Sequence, residues 1–100
     1  MGTILDLSGN KMATIDDDGV VRNLKWAILG YVDFDGDVYN NERRKVGYFQ
    51  ENGYIFDETA RRVGAVRHDG YVFDYENQRL GRVTGNNIIS GGAALILLVR

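Results

Sequence analysis

The sequence predicts an all-β domain built from tandem β-hairpins, and three observations carry that prediction. One stretch is written twice: Val46-Gly47-Tyr48-Phe49-Gln50-Glu51-Asn52-Gly53-Tyr54-Ile55-Phe56-Asp57 returns 17 residues later as Val63-Gly64-Ala65-Val66-Arg67-His68-Asp69-Gly70-Tyr71-Val72-Phe73-Asp74. Two glycine series keep that period, Gly19, Gly36, Gly53 and Gly70, with Gly2 one period earlier, and Gly30, Gly47, Gly64 and Gly81. The 100 residues include 13 glycines and no proline, which suits paired strands joined by tight turns. A fixed period marks a repeat architecture and outranks local signals.

The first glycine series sets the hairpin tips. Asp18-Gly19, Asp35-Gly36, Asn52-Gly53 and Asp69-Gly70 are favoured centres of a two-residue type I′ turn. That turn would place Phe49 opposite Phe56, Val66 opposite Phe73, Val32 opposite Tyr39 and, more weakly, Ile15 opposite Arg22. Beyond each tip stands a β-branched residue (Val21, Val38, Ile55, Val72), then Asn23, Asn40, Asp57 or Asp74. Those side chains can fold onto nearby backbone N–H groups and start the next turn. A polar link follows, such as Glu58-Thr59-Ala60-Arg61 or Tyr75-Glu76-Asn77-Gln78. The return strand brings Leu29, Val46, Val63 or Leu80 just before the second glycine. Four glycines at one strand register imply crowded backbones or a bend in each strand.

The two ends depart from the pattern, as terminal repeats do. Gly2 to Asp6 fits the first half of a unit, with Ser8-Gly9-Asn10-Lys11 as its turn and Met12 to Ile15 as its return strand. The link Leu24-Lys25-Trp26-Ala27 is more apolar than its counterparts, so Trp26 is either the plug of a unit or an exposed interface residue. In Gly85-Asn86-Asn87-Ile88, Asn87 takes the place of the turn glycine. The closing run Ala93-Ala94-Leu95-Ile96-Leu97-Leu98-Val99 shows no alternation. We read it as a strand buried on both faces that completes the core, with length alone leaving a short helix as the alternative.

The repeated Asp/Asn-Gly-x-β-x-Asp/Asn and x-β-Gly-x-β, with the apolar Ala-Ala-Leu-Ile-Leu-Leu end, resembles the 4-fold β-flower proteins of bacteria from Ile4 to Val99. The resemblance implies hairpins arranged as petals about a pseudo-fourfold axis. It supplies no activity, cofactor or site residue. The expected object is one domain over residues 1–100, with about five or six two-stranded units, closed or nearly so.

Composition narrows the function classes. A net charge of −2, from 12 basic and 14 acidic residues spread along the chain, offers no basic stripe for a phosphate backbone, so nucleic acid is not an expected partner. The absence of cysteine removes disulfides and thiolate chemistry. The apolar run at Ala93–Val99 is too short to cross a bilayer, and no signal sequence is legible, so we expect no membrane role and a cytoplasmic protein by default.

Candidate chemistry is sparse. Asp16-Asp17-Asp18-Gly19 and Asp33-Phe34-Asp35-Gly36-Asp37 invite a calcium reading. On EF-hand spacing, however, Lys25 stands where the bidentate Glu belongs, and the acids do not recur in later units, so we assign them to turns. His68, the single histidine, precedes a turn and should lie opposite Tyr71. Ser8 and Ser90 flank glycines in turns and form no triad with it. Tyr39, Phe56 and Phe73 share one repeat position and Tyr54 and Tyr71 another. They read first as cross-strand core pairs and second as stacking platforms for sugars or bases. Arg43-Arg44-Lys45 and Arg61-Arg62 are solvated link charges.

We therefore expect no catalytic residue, metal or cofactor, and we assign no ligand-binding set. The leading expectation is a non-enzymatic structural or protein-interaction module, self-associating or docked to a protein partner. The alternative is a small-ligand or carbohydrate binder using the repeated aromatics, with several equivalent shallow pockets. An enzyme would need one pocket that breaks the symmetry, and the atypical first unit and the Gly85–Gly92 segment are where to look for it.

Overall fold

Every hairpin connection inside the chain is built the same way, and that turn sets the register of the whole sheet. The computed structural model describes residues 1–33 and 35–100. At the tip after Phe49, Gln50 N–H donates to the Tyr54 carbonyl (2.9 Å) and Gly53 N–H to the Gln50 carbonyl (2.9 Å), so the loop is Glu51-Asn52-Gly53. Of these three, only Gly53 has positive φ, at 95°. This is the three-residue loop in which a turn ends in a left-handed residue, and it replaces the expected two-residue type I′ turn.

The extra loop residue slips each pairing by one. Phe49 lies opposite Ile55, Val66 opposite Val72, Val32 opposite Val38 and Ile15 opposite Val21. Side chains alternate faces along a strand, so Phe49 points inward with Ile55 while Phe56 pairs with Tyr48 on the outer wall. The slip also moves His68 into the loop itself, and Arg67 takes its expected place against Tyr71.

The links repeat the device. Asn23, Asn40, Asp57 and Asp74 each accept two backbone N–H bonds on Oδ1, from the residues two and four positions on, at 2.8–3.1 Å. Asp6 does the same in the first link. The left-handed position falls on Gly9, then on Trp26, Arg43, Ala60 and Asn77 at the same period. The expected role of the Asn/Asp position as turn starter is borne out.

Among the described residues these turns join ten strands: β1 (Gly2–Leu5), β2 (Lys11–Ile15), β3 (Val20–Asn23), β4 (Ile28–Val32), β5 (Asp37–Asn40), β6 (Lys45–Phe49), β7 (Tyr54–Asp57), β8 (Arg62–Val66), β9 (Tyr71–Asp74) and β10 (Arg79–Gly85). All neighbours are antiparallel, and β1 pairs with β10, Ile4 opposite Val83, to close a barrel of five hairpins. The five hairpins fall within the expected five or six units and close as expected, but the symmetry is fivefold where the resemblance implied a pseudo-fourfold axis. Four complete Asp/Asn-Gly tips are legible in the sequence, whereas the fifth joint is split between the two ends of the chain and carries Asn87, with φ 61°, in place of glycine.

Each link hairpin carries a bulge, where two residues of one strand face one of the other. The extra residue is Met12, Leu29, Val46, Val63 or Leu80. The interior is therefore stacked in rings: Ile15, Val32, Phe49, Val66 and Val83 at the tip end; Ile4, Val21, Val38, Ile55 and Val72 in the middle; Ala13, Gly30, Gly47, Gly64 and Gly81 below; the bulge residues at the link end. Every member of the middle ring is fully buried. Each such side chain contributes about 1.5–3 kcal/mol.

A ten-stranded barrel is too wide to be filled by its own side chains, which suffice at about eight strands. The chain fills it with its C-terminus. Helix α1 (Ile88–Ala94) enters at the tip end and continues as a π-helical turn, Leu95–Val99, in which Arg100 N–H donates to the Leu95 carbonyl at 3.1 Å. The expected strand is therefore a helix, although its place in the core is as expected: Ala93, Ala94 and Leu95 are buried. The closed sheet has no edge to pair an eleventh strand. A segment crossing its apolar interior must satisfy its backbone groups internally, and a helix does so.

The low glycine ring is the seat of that plug. Leu95 packs over Gly81, Ile96 over Gly64, Leu97 over Gly47 and Leu98 over Gly30, one residue for each successive hairpin. An α-helix turns about 100° per residue, whereas five equal sectors need roughly 72°, so the wider π turn fits better. The expected reasons for the glycine series, crowding and strand bending, both hold.

Candidate functional site

The plugged barrel is a disc of 31 × 30 × 19 Å with two unlike ends and an aromatic outer wall. The wall carries the repeated aromatics, which correct the expectation of core pairs: Tyr39, Phe56, Phe73 and Tyr71 are half-buried outside the barrel and Tyr54 is exposed. Their parity follows from the slipped register. Tyr48 and Phe56 stack at 4.9 Å, Arg62 lies 4.9 Å from the Tyr54 ring, Arg79 and Arg82 lie 4.3 and 4.8 Å from Tyr71, and Arg43 lies 4.4 Å from Tyr31. The faces of Tyr31, Tyr54 and Tyr71 are thus occupied by guanidinium groups of the same chain.

The tip end is acidic. Asp16, Asp17, Asp18, Asp33, Asp35, Glu51 and Asp69 stand there, against Arg67 and the Met1 ammonium, which lies 3.2 Å from Asp17 Oδ1. Two of the carboxylates weighed for calcium, Asp16 and Asp33, are spent within the turns, as their assignment to turns expects. Asp16 Oδ1 accepts from Asp18 and Val20 N–H (3.0 Å each), and its Oδ2 accepts from the Arg22 guanidinium at 2.8 Å. Burial acts to raise the Asp16 pKa, but the Val20 N–H, the Arg22 guanidinium and the Asp18 N–H outweigh it and hold the carboxyl below its ordinary value. Asp33 Oδ1 likewise accepts from Asp35 and Asp37 N–H at 3.1 and 3.0 Å. Phe34, within the second acidic stretch, lies outside the described residues. No group of three metal-ligating side chains is gathered among the described residues.

To one side of this end lies a cavity of about 410 Å³ between the first two tips, Phe49 and the start of α1, lined by Ile15, Asp16, Asp17, Gly19, Val32, Asp33, Phe49, Asn87, Ile88, Ile89 and Ser90. It breaks the fivefold pattern where the first tip meets the segment before α1. Ser90 Oγ donates to the Asn87 carbonyl at 3.2 Å, and exposed His68 stands at another tip beside a shallow 300 Å³ hollow with Tyr54 and Ile89. Ser8 is exposed in the first link, at the opposite end. The structure brings none of these together as a nucleophile and base.

The link end differs in kind. Leu7, Leu24, Trp26 and Tyr75 each expose 60–66% of their surface, and Ile28 is 36% exposed. Leu7, Leu24 and Tyr75 occupy one repeat position, the first loop residue, on three hairpins that adjoin around the barrel. The other two links place Asn41 and Glu58 there, followed by Arg43, Arg44 and Lys45 on one and Arg61 and Arg62 on the other. The face is therefore an apolar arc beside a basic sector, with half-buried Ile96–Val99 of the plug at its centre. Trp26 is exposed and held at φ 66°, with the Arg22 guanidinium 5.8 Å from its ring. Applying the 17-residue period to the links would have shown the arc.

The chain matches the 5-fold beta-flower protein family over residues 1–98. It belongs to that family. The match overturns the resemblance to the 4-fold β-flowers and agrees with the five hairpins of the barrel. No curated protein and no solved structure matches this β-flower.

Proposed function

We propose that this β-flower is a non-enzymatic interaction module that pairs with a second copy of itself through its link face. The observation that carries the reading is the exposed arc of Leu7, Leu24, Trp26, Ile28 and Tyr75 on three adjoining hairpins. Scattered exposed apolar residues are ordinary, but a contiguous patch of large ones rimmed by charge marks an interaction surface. Trp26 adds weight: a bulky residue at positive φ costs roughly 1–2 kcal/mol relative to glycine in the same place. In an isologous dimer the same patch meets itself, and the acids beside the arc, Asp6, Asp74 and Glu76, can face the partner's basic sector.

Light scattering over a concentration range tests this reading. A dimer that dissociates on dilution, and that Leu24→Ser or Trp26→Ser converts to a folded monomer, is the expected result. A monomer at every concentration would refute it, as would a dimer indifferent to both substitutions.

A further inference from the structure

We propose that the tip-end cavity is a binding site for a small amphipathic organic cation, an amine carried on an apolar body. The inference is independent of the link face, which lies at the opposite end of the barrel.

The cavity exists because the plug is off-centre. Gly91 sets α1 against Val83, where a Cβ would come within 2.7 Å of the valine Cγ1, and at Gly92 a Cβ would overlap the Val66 side chain. The helix therefore leans on the fourth and fifth members of the tip ring. Across the axis, Val32 and Phe49 of the same ring line, with Ile15, Ile88 and Ile89, an opening of about 410 Å³. That volume lies within the range of small-molecule sites, roughly 300–1,000 Å³. The gap follows from residue choice, because Gly91-Gly92 is the one pair that admits such close approach on one side.

The mouth selects the sign of the occupant. Three lining residues are carboxylates, Asp16, Asp17 and Asp33, and none is Lys, Arg or His. Asp16 is already paired with Arg22, and exposed Asp17 with the Met1 ammonium at 3.2 Å and with Asn87 Nδ2 at 3.3 Å, which leaves Asp33 as the lining carboxylate with no ion pair among the described residues. Asp35 and Glu51 on the surrounding tips deepen the negative potential over an apolar floor, an arrangement that concentrates cations. An ammonium at the rim with its apolar body on Val32, Phe49 and Ile89 satisfies both surfaces. A carboxylate on the same body satisfies the floor and is repelled at the rim.

The test is a titration of the ¹⁵N-labelled protein with hexylammonium, hexan-1-ol and hexanoate, followed by amide shifts. We expect saturable shifts centred on Val32, Ile88 and Ile89, tightest for hexylammonium, weaker for hexanol and absent for hexanoate. Asp17→Asn combined with Asp33→Asn should remove the preference for amine over alcohol, a change of roughly two- to fivefold for charges at a solvated rim. Asparagine caps this turn type at Asn23 and Asn40, so the fold should tolerate Asp33→Asn, and exposed Asp17→Asn alone provides a second variant. Val32→Phe, filling the cavity, should abolish all binding. The proposal is overturned if shifts are linear in concentration or scattered over the outer wall. Equal binding of hexanoate overturns it too, as does an amine preference that survives both aspartate substitutions.

Discussion

Replacing Gly64 by alanine probes the contact on which the barrel and its plug both depend. A Cβ at this position would overlap two atoms at once: Cδ1 of Ile96 in the π-helical turn, and the backbone carbonyl oxygen of Phe73. The side chain can rotate aside. The carbonyl cannot, because Phe73 is held in the β8–β9 ladder opposite Ala65, next to the pair Gly64 and Asp74. Overpacking a full core costs about 1–3 kcal/mol, and a clash with fixed backbone belongs at the upper end, so we expect a loss near 3 kcal/mol. For a domain of this size that lowers the melting temperature by roughly 10 °C or more.

Gly9→Ala is the control. Gly9 has φ 85° and nothing within 4 Å of an added Cβ, so that variant reports backbone strain alone, about 1 kcal/mol. Denaturant unfolding of the wild type, Gly64→Ala, Gly9→Ala, and Gly64→Ala with Ile96→Ala separates the effects. The double variant should relieve the methyl contact and leave the carbonyl clash, giving positive but incomplete coupling. A Gly64→Ala protein as stable as the wild type, or less perturbed than Gly9→Ala, would refute the crowding argument.

Ala60→Gly should stabilise the protein by about 0.5–1 kcal/mol in urea melts, because Ala60 sits exposed at φ 68° and glycine removes the left-handed penalty at a smaller entropic cost. Asp16 has its carboxyl pKa lowered in the folded state, so its contribution is complete above the ordinary carboxylate value near 3.9 and is lost as pH falls through the folded value. Melting temperature followed downward from pH 5 should therefore fall less steeply in Asp16→Asn than in the wild type. Asp57, lowered by the Thr59 hydroxyl and the Arg61 N–H, should behave in the same sense, and Thr59→Val should move its titration, read by ¹³C shifts, back toward the ordinary value.

What the sequence made legible was whatever the 17-residue period wrote down. Strand positions, turn starters and the glycine series all recur and were found, whereas the part those glycines play as the seat of the plug was not. The turn type was misjudged because Asp-Gly serves both a two-residue loop and a three-residue loop ending in glycine, and the choice shifts the register by one without moving any strand. That single step turned Tyr39, Phe56 and Phe73 from inward to outward. The order of the symmetry was misjudged at Asn87, where a left-handed asparagine stands for the fifth glycine and the partner strand lies at the far end of the chain. The C-terminal run was misread because an apolar stretch without alternation fits a buried strand or a buried helix, and only closure of the sheet removes the first option. The cavity was foreseeable only as a place, the first unit beside Gly85–Gly92. Its opening depends on which side Gly91 and Gly92 lean.

Both faces proposed for binding exist only if the barrel closes between the chain ends and the plug runs through it from tips to links. Nuclear Overhauser contacts in a methyl-labelled sample read this directly. The structure predicts cross-strand contacts between Ile4 and Val83, together with a stepwise series from Leu95 to Gly81, Ile96 to Gly64, Leu97 to Gly47 and Leu98 to Gly30. Absence of the Ile4–Val83 contact, or residues 95–98 meeting one another's neighbours in an extended pattern, would contradict the closed fivefold barrel and both of its ends.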